Sequence, residues 1–203
     1  MAMLVADALT ENELLKLRRD QELDRFDEVW EGMYVMHALP NDEHQQIVNR
    51  LSLALTLWIE DTGLGQVRPG VNLASDASNW EHDYRCPDVV VFLNDSPSEC
   101  HGAFWTGGPD LAVEILSPRD QTPSKIDFYT KVGVRELLII DRDPWRLELR
   151  RLDAGALPVV AVGETGGEPI ESESLPITLQ LAPGEQRPQI VVRHTQSDQS
   201  WVV

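Results

Sequence analysis

The sequence has few cysteines, no long apolar run and a shortage of positive charge. Its two cysteines are Cys86 and Cys100, and they have neither CxxC spacing nor the density of a secreted disulfide scaffold. We therefore expect reduced thiols and no zinc site made from these two residues alone. No apolar run approaches the roughly 20 residues that cross a bilayer, and the stretch MAMLVADALTENELL lacks a basic region followed by a long apolar one. These absences predict a cytoplasmic protein without a membrane span.

Positive charge is scarce, because 17 Lys and Arg residues face 34 Asp and Glu residues, for a net charge of −17. This balance argues against a nucleic-acid binder, since phosphates would be repelled at long range. The imbalance is uneven: residues 1–61 carry 13 acidic and 5 basic groups, whereas residues 110–153 carry 9 and 8. The second segment is compatible with a solvated mixed-charge face and with a phosphate-facing patch. Its basic residues are Arg119, Lys125, Lys131, Arg135, Arg142, Arg146, Arg150 and Arg151.

The rest of the composition is that of an ordinary globular chain of 203 residues, 42% of them hydrophobic. This length supports one domain with a full core. We place the core at about residues 26–153, and we expect peripheral antiparallel strands and a polar tail at about residues 154–203. The tail is expected to be partly ordered or to be used between subunits.

Three short apolar runs lie between residues 87 and 141. They cover residues 89–93, 111–116 and 137–140. Runs of this length that are rich in Val, Ile and Leu and lack polar alternation are typical of strands buried on both faces of a sheet. Thr122 and Pro123 begin a predicted helix that Gly133 ends. A strand, helix, strand order predicts a right-handed parallel crossover between the last two runs.

The other predicted elements follow from capping residues and periodicity. They are a short helix from Thr10 to Asp20, a hairpin over 26–36 with its turn at Glu31 and Gly32, a long helix from Asn41 or Asp42 to Asp61, a strand over 67–73, connections over 74–85 and 94–109, a half-exposed strand over 147–152, and peripheral strands over 159–162 and 177–181. The aromatic residues of the connection 74–85 could line a substrate site, but packing over a sheet edge is the favoured interpretation.

Two carboxylates interrupt the apolar runs. Asp88 begins the first, and Glu114 stands inside the second between Val113 and Ile115. A carboxylate in such a strand is costly unless it is paired, protonated or bound to a cation. If the first two strands are neighbours, both carboxylates reach one cleft, and the crossover helix brings the Lys125 ammonium over it. With the carbonyl of Ile115, the carboxylates form an oxygen-rich site suited to Mg²⁺ or Mn²⁺, which activates water for phosphodiester hydrolysis.

A structural interpretation of the same residues stays open. Glu114 could make a buried salt bridge, Asp88 could cap a loop, and Lys125 could be solvated. His44 lies in the first turn of the long helix, where a surface or capping role is favoured over a functional one. Tyr129 lies one helical turn after Lys125 and could buttress it, although core packing is the simpler interpretation.

At these residues the sequence resembles a known family. The strings RCPDVVVF, GPDLAVEILSP, KIDFY and GVRELLIID occur in this order, and FDEVWEGMYVM and LPNDEHQQIVNRL precede them. They resemble the Uma restriction-endonuclease-like family of the PD-(D/E)XK nuclease superfamily over about residues 26–143. The order of the motifs is more specific than any one of them.

The resemblance implies an α/β (α+β) restriction-endonuclease-like core with a mixed central sheet flanked by helices. It also implies a Mg²⁺ or Mn²⁺ site, hydrolysis of nucleic-acid phosphodiesters, DNA or another nucleic acid as the partner, and a homodimer. Asp88 and Glu114 match the acidic residues of the motif, and Lys125 matches the lysine that the family supplies from the following helix. Glu28 and His44 match recurrent polar positions that could make outer contacts to the site.

The chain departs from the superfamily pattern at one position, because Leu116 stands where the superfamily usually has lysine. The proposed chemistry then requires Lys125 to reach the carboxylates across a connection of only 7 residues after Ser117. Two other interpretations remain: a homodimeric binding or scaffold protein that keeps the fold without hydrolysis, and a phosphoesterase acting on small nucleotides.

Overall fold

A computed structural model describes residues 8–117 and 122–203 of the chain. The helices are α1 (Ala8–Asp20), α2 (Asp42–Leu55) and α3 (Ile126–Val132), with a π-helix at Thr56–Glu60 and 3₁₀ helices at Ala77–His82 and Thr122–Lys125. The strands are β1 (Glu28–Trp30), β2 (Met33–Val35), β3 (Gly65–Pro69), β4 (Asn72–Ala74), β5 (Tyr84–Arg85), β6 (Val89–Leu93), β7 (Glu99–Cys100), β8 (Phe104–Thr106), β9 (Leu111–Ile115), β10 (Glu136–Arg142), β11 (Trp145–Arg151), β12 (Val159–Glu164), β13 (Ile170–Glu171), β14 (Ile177–Ala182), β15 (Gln189–His194) and β16 (Ser200–Val202).

The central sheet has six strands in the order β12-β11-β10-β9-β6-β3. Strands β9 and β10 are parallel and α3 connects them, which confirms that the predicted crossover is parallel. Strands β6 and β9 are neighbours, as the proposed cleft requires, and they run antiparallel. The sheet is therefore mixed, as expected for the fold.

Strands β6, β9 and β10 of the central sheet are buried on both faces, so they show no hydrophobic alternation. Successive side chains of a strand point to opposite faces. Val89 and Val91 accordingly join an apolar cluster with α2, and Val90 and Phe92 join a second cluster with α3. The same alternation places Glu114 on the α3 side.

Two smaller sheets complete the fold. One has the order β2-β1-β5-β4-β8-β7 and includes the predicted hairpin, whose turn residues Glu31 and Gly32 have positive φ. The other consists of β13, β14, β15 and β16. Its buried residues lie in the same apolar cluster as α2 and β6; they are Ile170, Ile177, Leu179, Leu181, Ile190 and Val192. The C-terminal strands therefore contribute to the main core, although they follow the central sheet in the chain.

The predicted strand over 67–73 is wrong as a single element. The chain turns at Gly70, which has φ +59°, so that β3 joins the central sheet and β4 joins the hairpin sheet. Hydropathy does not mark this break, because apolar residues continue on both sides of the turn. The connections predicted over 74–85 and 94–109 also contain short strands. In the first of them Trp80 stacks on Phe104 with ring centroids 4.8 Å apart, in accord with a packing role.

Helix α2 begins where its sequence predicts. The side chain of Asn41 accepts a hydrogen bond from the His44 N–H at 2.9 Å and caps the first turn. The α-helix ends at Leu55 rather than at Asp61, and the next turn is the π-helix, which places Trp58 and Ile59 in the core. Within residues 8–117 and 122–203, no helix is both long enough and apolar enough to cross a membrane.

Candidate active site

The antiparallel pairing of β6 and β9 brings Asp88 and Glu114 to the same end of the central sheet. The Asp88 N–H donates to the Val113 carbonyl at 3.0 Å, which extends the ladder by one residue. Asp88 Oδ2 accepts the N–H of Ile115 at 2.7 Å. Because side chains alternate along a strand, Asp88 and Glu114 lie on the same face as Val90 and Ala112. The pairing of these strands, rather than proximity in sequence, makes one site of the two carboxylates.

Lys125 reaches this site from the 3₁₀ turn that precedes α3. Its Nζ lies 3.0 Å from Glu114 Oε1 and 2.9 Å from Glu28 Oε1. The side chain of Lys125 is buried, so the alternative interpretation in which Lys125 is solvated is wrong. The short connection after Ser117 thus still permits direct contact between the ammonium and Glu114. Residues 118–121 of that connection, including Arg119, lie outside the described residues.

Glu28 is the second carboxylate that contacts Lys125. It lies on β1, and its Oε1 also accepts the N–H of Cys86 at 2.8 Å. Its Oε2 accepts the indole N–H of Trp30 at 2.7 Å and lies 3.3 Å from His37 Nε2. Both oxygens of Glu28 therefore have partners, and its position suits it to hold Lys125.

Tyr129 fixes Glu114 from the first turn of α3. Its hydroxyl donates a hydrogen bond to Glu114 Oε1, the same oxygen that contacts Lys125. The ring is fully buried. Tyr129 thus packs in the core and also contacts the site, although its partner is Glu114 rather than Lys125.

His44 lies inside the site, and the favoured prediction of a surface or capping histidine is wrong for its side chain. The residue is buried, and its Nε2 lies 3.1 Å from Asp88 Oδ1. Its backbone N–H is the group that Asn41 caps. Its Nδ1 is buried and has no hydrogen-bond partner among the described residues. The helix start thus places an imidazole against Asp88.

Burial dominates the ionisation of these groups. It raises the pKa of Glu114 to about 8, and repulsion from Asp88 and Glu28 adds to it while Lys125 opposes it. Burial also opposes ionisation of Glu28, but Lys125 and His37 bring the pKa of Glu28 well below its ordinary value. For Lys125 the penalty of burial is outweighed by Glu114 and Glu28, which raise the pKa of the ammonium. Glu28 is therefore the ionised partner of Lys125, and Glu114 is the carboxyl that holds a proton most readily.

The groups open onto one cavity of about 170 Å³. Asp88, Glu114 and Lys125 form part of its lining, and α2 forms another part, which includes His44. The carboxylates and the backbone of Ile115 provide oxygen ligands of the type that Mg²⁺ and Mn²⁺ prefer. Within the described ranges 8–117 and 122–203, no group of three or more His, Cys, Asp or Glu side chains has an arrangement that holds a metal ion.

The basic residues of the segment 110–153 do not form a free phosphate-facing patch where the structure describes them. Each lies within hydrogen-bonding distance of a carboxylate: Lys125 with Glu28 and Glu114, Lys131 with Asp83, Arg135 with Asp110, Arg142 with Glu43, Arg146 and Arg150 with Glu148, and Arg151 with Glu136. These ion pairs agree with the interpretation of the segment 110–153 as a mixed-charge face. Arg119 belongs to the residues that are not described.

Sequence reasoning missed the groups that surround Glu28. Trp30, His37 and the Cys86 backbone all contact it, yet Trp30 lies on β1, His37 follows β2 and Cys86 follows β5. Trp30 carried a usable signal, since it lies two positions from Glu28 and therefore shares its face of β1. His37 and Cys86 carried none, because only strand pairing brings them to the site.

The fold and site together define a restriction-endonuclease-like α/β protein. A crystal structure of a "putative nuclease belonging to DUF820" from Anabaena variabilis has a similar fold, with a TM-score of 0.54 and 21% sequence identity over 66% of this chain and 75% of that one. A model of the Uma2 family, described as "Putative restriction endonuclease", matches residues 11–184. The chain belongs to this family. A comparison with curated proteins finds no match.

Proposed function

We propose that the chain is a metal-dependent endonuclease that hydrolyses phosphodiester bonds of nucleic acid. Asp88 and Glu114, with the carbonyl of Ile115, would hold Mg²⁺ or Mn²⁺, and Lys125 would act beside them. The observation that carries the proposal is the 3.0 Å contact of Lys125 Nζ with Glu114 in a cavity that Asp88 also lines. A buried lysine beside two carboxylates at the end of a sheet is the arrangement this chemistry needs.

The donor set fits a hard divalent cation. Mg²⁺ keeps several water ligands and needs only one or two carboxylates from the protein. Among the described residues, the hydrogen bonds that Glu114 accepts reach Oε1, from Lys125 and Tyr129. A bound cation would relieve the cost of burying the ionised Glu114, activate water and neutralise charge on the scissile phosphate.

The side chains of the protein supply the rest of the chemistry. The Lys125 ammonium orients a water molecule and balances the negative charge that develops on the phosphate. Glu28 holds this ammonium at 2.9 Å, and Tyr129 holds the Glu114 carboxylate. The His44 imidazole at 3.1 Å and the Ile115 N–H at 2.7 Å keep Asp88 in one orientation. These contacts would hold the proposed catalytic groups in place before substrate binds.

The metal site is tested by calorimetric titration of Mg²⁺ and Mn²⁺ into purified protein. Asp88→Asn and Glu114→Gln should each weaken binding by at least tenfold, because each removes an anionic ligand. Asp95→Asn removes a charge from an exposed residue outside the cavity and should leave binding unchanged. Equal binding by all four proteins would contradict the metal site.

Hydrolysis is tested with Mn²⁺ on single-stranded, duplex and branched DNA. Wild-type protein should nick at least one of these, and Lys125→Ala should cut about a hundredfold more slowly, the usual cost of losing a charge-stabilising group. Lys131→Ala removes a lysine of α3 whose side chain is 59% exposed, and it serves as the matched control. A well-folded wild-type protein that binds metal and leaves every substrate intact would favour the scaffold interpretation.

A further inference from the structure

The groups of the proposed active site are recessed rather than exposed on an open cleft. Glu114 is 4% exposed and Lys125 is 3% exposed. A scissile phosphate must therefore enter the cavity to contact them. A cavity of about 170 Å³ is smaller than the usual pocket for a drug-sized ligand. It has room for a base or a phosphate group but not for a segment of duplex, so a base that enters it must first leave its stack.

One wall of the cavity is aromatic. Phe26 precedes the hairpin sheet and lines the cavity with a half-buried ring. The ring packs directly against the backbone of Gly70, where an added Cβ would lie 3.1 Å from Phe26 Cε1. Gly70 also has φ +59°, and its N–H donates to the carbonyl of Asp88 at 3.1 Å. The turn at Gly70 therefore contacts both the Asp88 backbone and the Phe26 ring.

The wall formed by α2 carries amide side chains. Gln45 and Asn49 both line the cavity, and their separation of four residues places them on one face of the helix. An amide offers hydrogen-bond donors and an acceptor, which is the complement of a nucleobase edge. An aromatic face and amide groups on another wall are the two components that recognise an unstacked base.

Arg25 supplies positive charge at this cavity. Its side chain is exposed, and its guanidinium lies 5.5 Å from the centroid of the Phe26 ring. Among the ion pairs of the described part of the chain, none includes Arg25, whereas each described basic residue of the segment 110–153 has a carboxylate partner. Arg25 is thus positioned to bind a phosphate next to the base that contacts Phe26.

The charge of the whole molecule disfavours a duplex more strongly than a single strand. With a net charge of −17 the protein repels a duplex, which presents two phosphate strands at high density. A single strand has a lower charge density and can bind through stacking of its bases on aromatic side chains. From these observations we infer that the cavity binds one unpaired nucleotide of a single-stranded nucleic acid, with its base on Phe26 and its phosphate at Arg25. This inference rests on the proposed function, since it assigns the substrate class of the same site.

The test is equilibrium binding of a fluorescein-labelled oligothymidylate, followed by fluorescence anisotropy with Ca²⁺ in place of Mg²⁺ and with the probe shown to stay intact. Phe26→Leu should weaken binding about tenfold, because stacking is lost, and Phe26→Trp should retain it. Arg25→Gln should weaken binding severalfold and lower the slope of log affinity against log salt by about one. Arg193→Gln, which removes the same charge from β15, should change neither value. Circular dichroism checks that each variant is folded.

Two further probes identify what the cavity recognises. A duplex that contains the same strand should bind at least tenfold more weakly. An oligonucleotide in which every base is removed should bind to the wild-type protein and to Phe26→Leu with equal affinity. Equal affinity for strand and duplex, or a Phe26→Leu variant that binds like the wild type, would overturn the inference.

These measurements need no hydrolysis, so a protein that binds the strand through Phe26 but does not cut it would refute the proposed function alone. Conversely, if Phe26→Leu and Arg25→Gln cleave nucleic acid at the rate of the wild type, the inference alone is refuted.

Discussion

At the scale of single residues, the main feature of the site is the balance between its buried carboxylates and one buried ammonium. Glu28, Glu114 and the ammonium of Lys125 are all buried, and the ammonium lies between the two carboxylates. Two carboxylates therefore share one positive charge. Glu28 also has hydrogen bonds from Trp30 and the Cys86 N–H, whereas Glu114 has one from Tyr129. The residual cost of ionisation therefore falls on Glu114, which is also the residue assigned to hold a cation.

This imbalance predicts how stability depends on pH. Glu114 has an ordinary pKa of 4.5 when unfolded and a pKa raised to about 8 in the folded protein. Between these values the folded state binds more protons than the unfolded state, so the contribution of Glu114 to stability falls as pH rises. Without divalent metal, the free energy of unfolding should decrease between about pH 5 and pH 8. Urea denaturation across this range measures it.

The matched variant for this prediction is Glu114→Gln, which imitates the protonated carboxyl and cannot ionise. Its stability should resemble that of the wild type near pH 5 and should lack the decline at higher pH. Above pH 8 the raised pKa of Lys125 keeps the ammonium charged, so titration of Lys125 does not contribute to the difference in stability between the two proteins. A decline of the same size in Glu114→Gln would assign it to another group.

At the scale of elements, the start of α2 couples helix capping to the site. Asn41 Oδ1 accepts from the His44 N–H at 2.9 Å and from Arg142 Nη1 at 3.1 Å. His44 then contacts Asp88 through its side chain. The cap therefore fixes the first turn of the helix and, through it, the imidazole beside the proposed metal ligand.

Removing this cap should destabilise the protein. Asn41→Ala is expected to lower the free energy of unfolding by about 1 kcal/mol, the usual cost of losing an N-cap side chain. Asn41→Asp keeps an acceptor at the same position and should restore most of the loss. Urea denaturation of the three proteins at one pH provides the measurement. If Asn41→Ala and Asn41→Asp are equally destabilised, the loss does not come from the missing acceptor, and the capping interpretation is contradicted.

The turn at Gly70 is the other element that shapes the site. It divides the predicted strand over 67–73 into β3 and β4 and sends them to different sheets. Through its N–H it contacts Asp88, and through its bare Cα it admits the ring of Phe26. A single glycine thus joins the central sheet, the hairpin sheet and the wall of the cavity.

At the scale of the whole molecule, the C-terminal sheet is part of the main core. Strands β14 and β15 bury their apolar side chains against the cluster that contains α2 and β6. Trp58 of the π-helix also donates to Gln199 at 2.8 Å. These contacts lead us to expect that the central and C-terminal sheets unfold as one cooperative unit.

Leu181→Ala tests this expectation. Leu181 is fully buried in β14, so its truncation should cost about 2–5 kcal/mol. Circular dichroism and tryptophan fluorescence should report one coincident transition that moves to lower denaturant concentration. Val162→Ala changes a residue of β12 that is 42% exposed and should have little effect. Two separate transitions would show instead that the C-terminal sheet unfolds independently.

The accuracy of the sequence prediction varied with how local each interaction is. Helix α2, the hairpin turn and the crossover from β9 through α3 to β10 were predictable, because capping, turn and strand signals lie within a few residues of each element. The division at Gly70 was missed because hydropathy runs through it, although the dipeptide Pro69-Gly70 is typical of a turn. The burial of His44 also escaped prediction, because its partner Asp88 is distant in the chain.

The sequence alone determined that Asp88 and Glu114 are carboxylates in an apolar setting, and its motifs determined the family. Tertiary structure decided how these charges are compensated. It brought Lys125 between Glu114 and Glu28, placed Tyr129 on Glu114 and His44 on Asp88, and formed a cavity between α2 and the sheets. The physical reason is that burial and pairing of a charge depend on contacts between elements that are far apart in the chain, which strand pairing and helix packing create and local sequence does not specify.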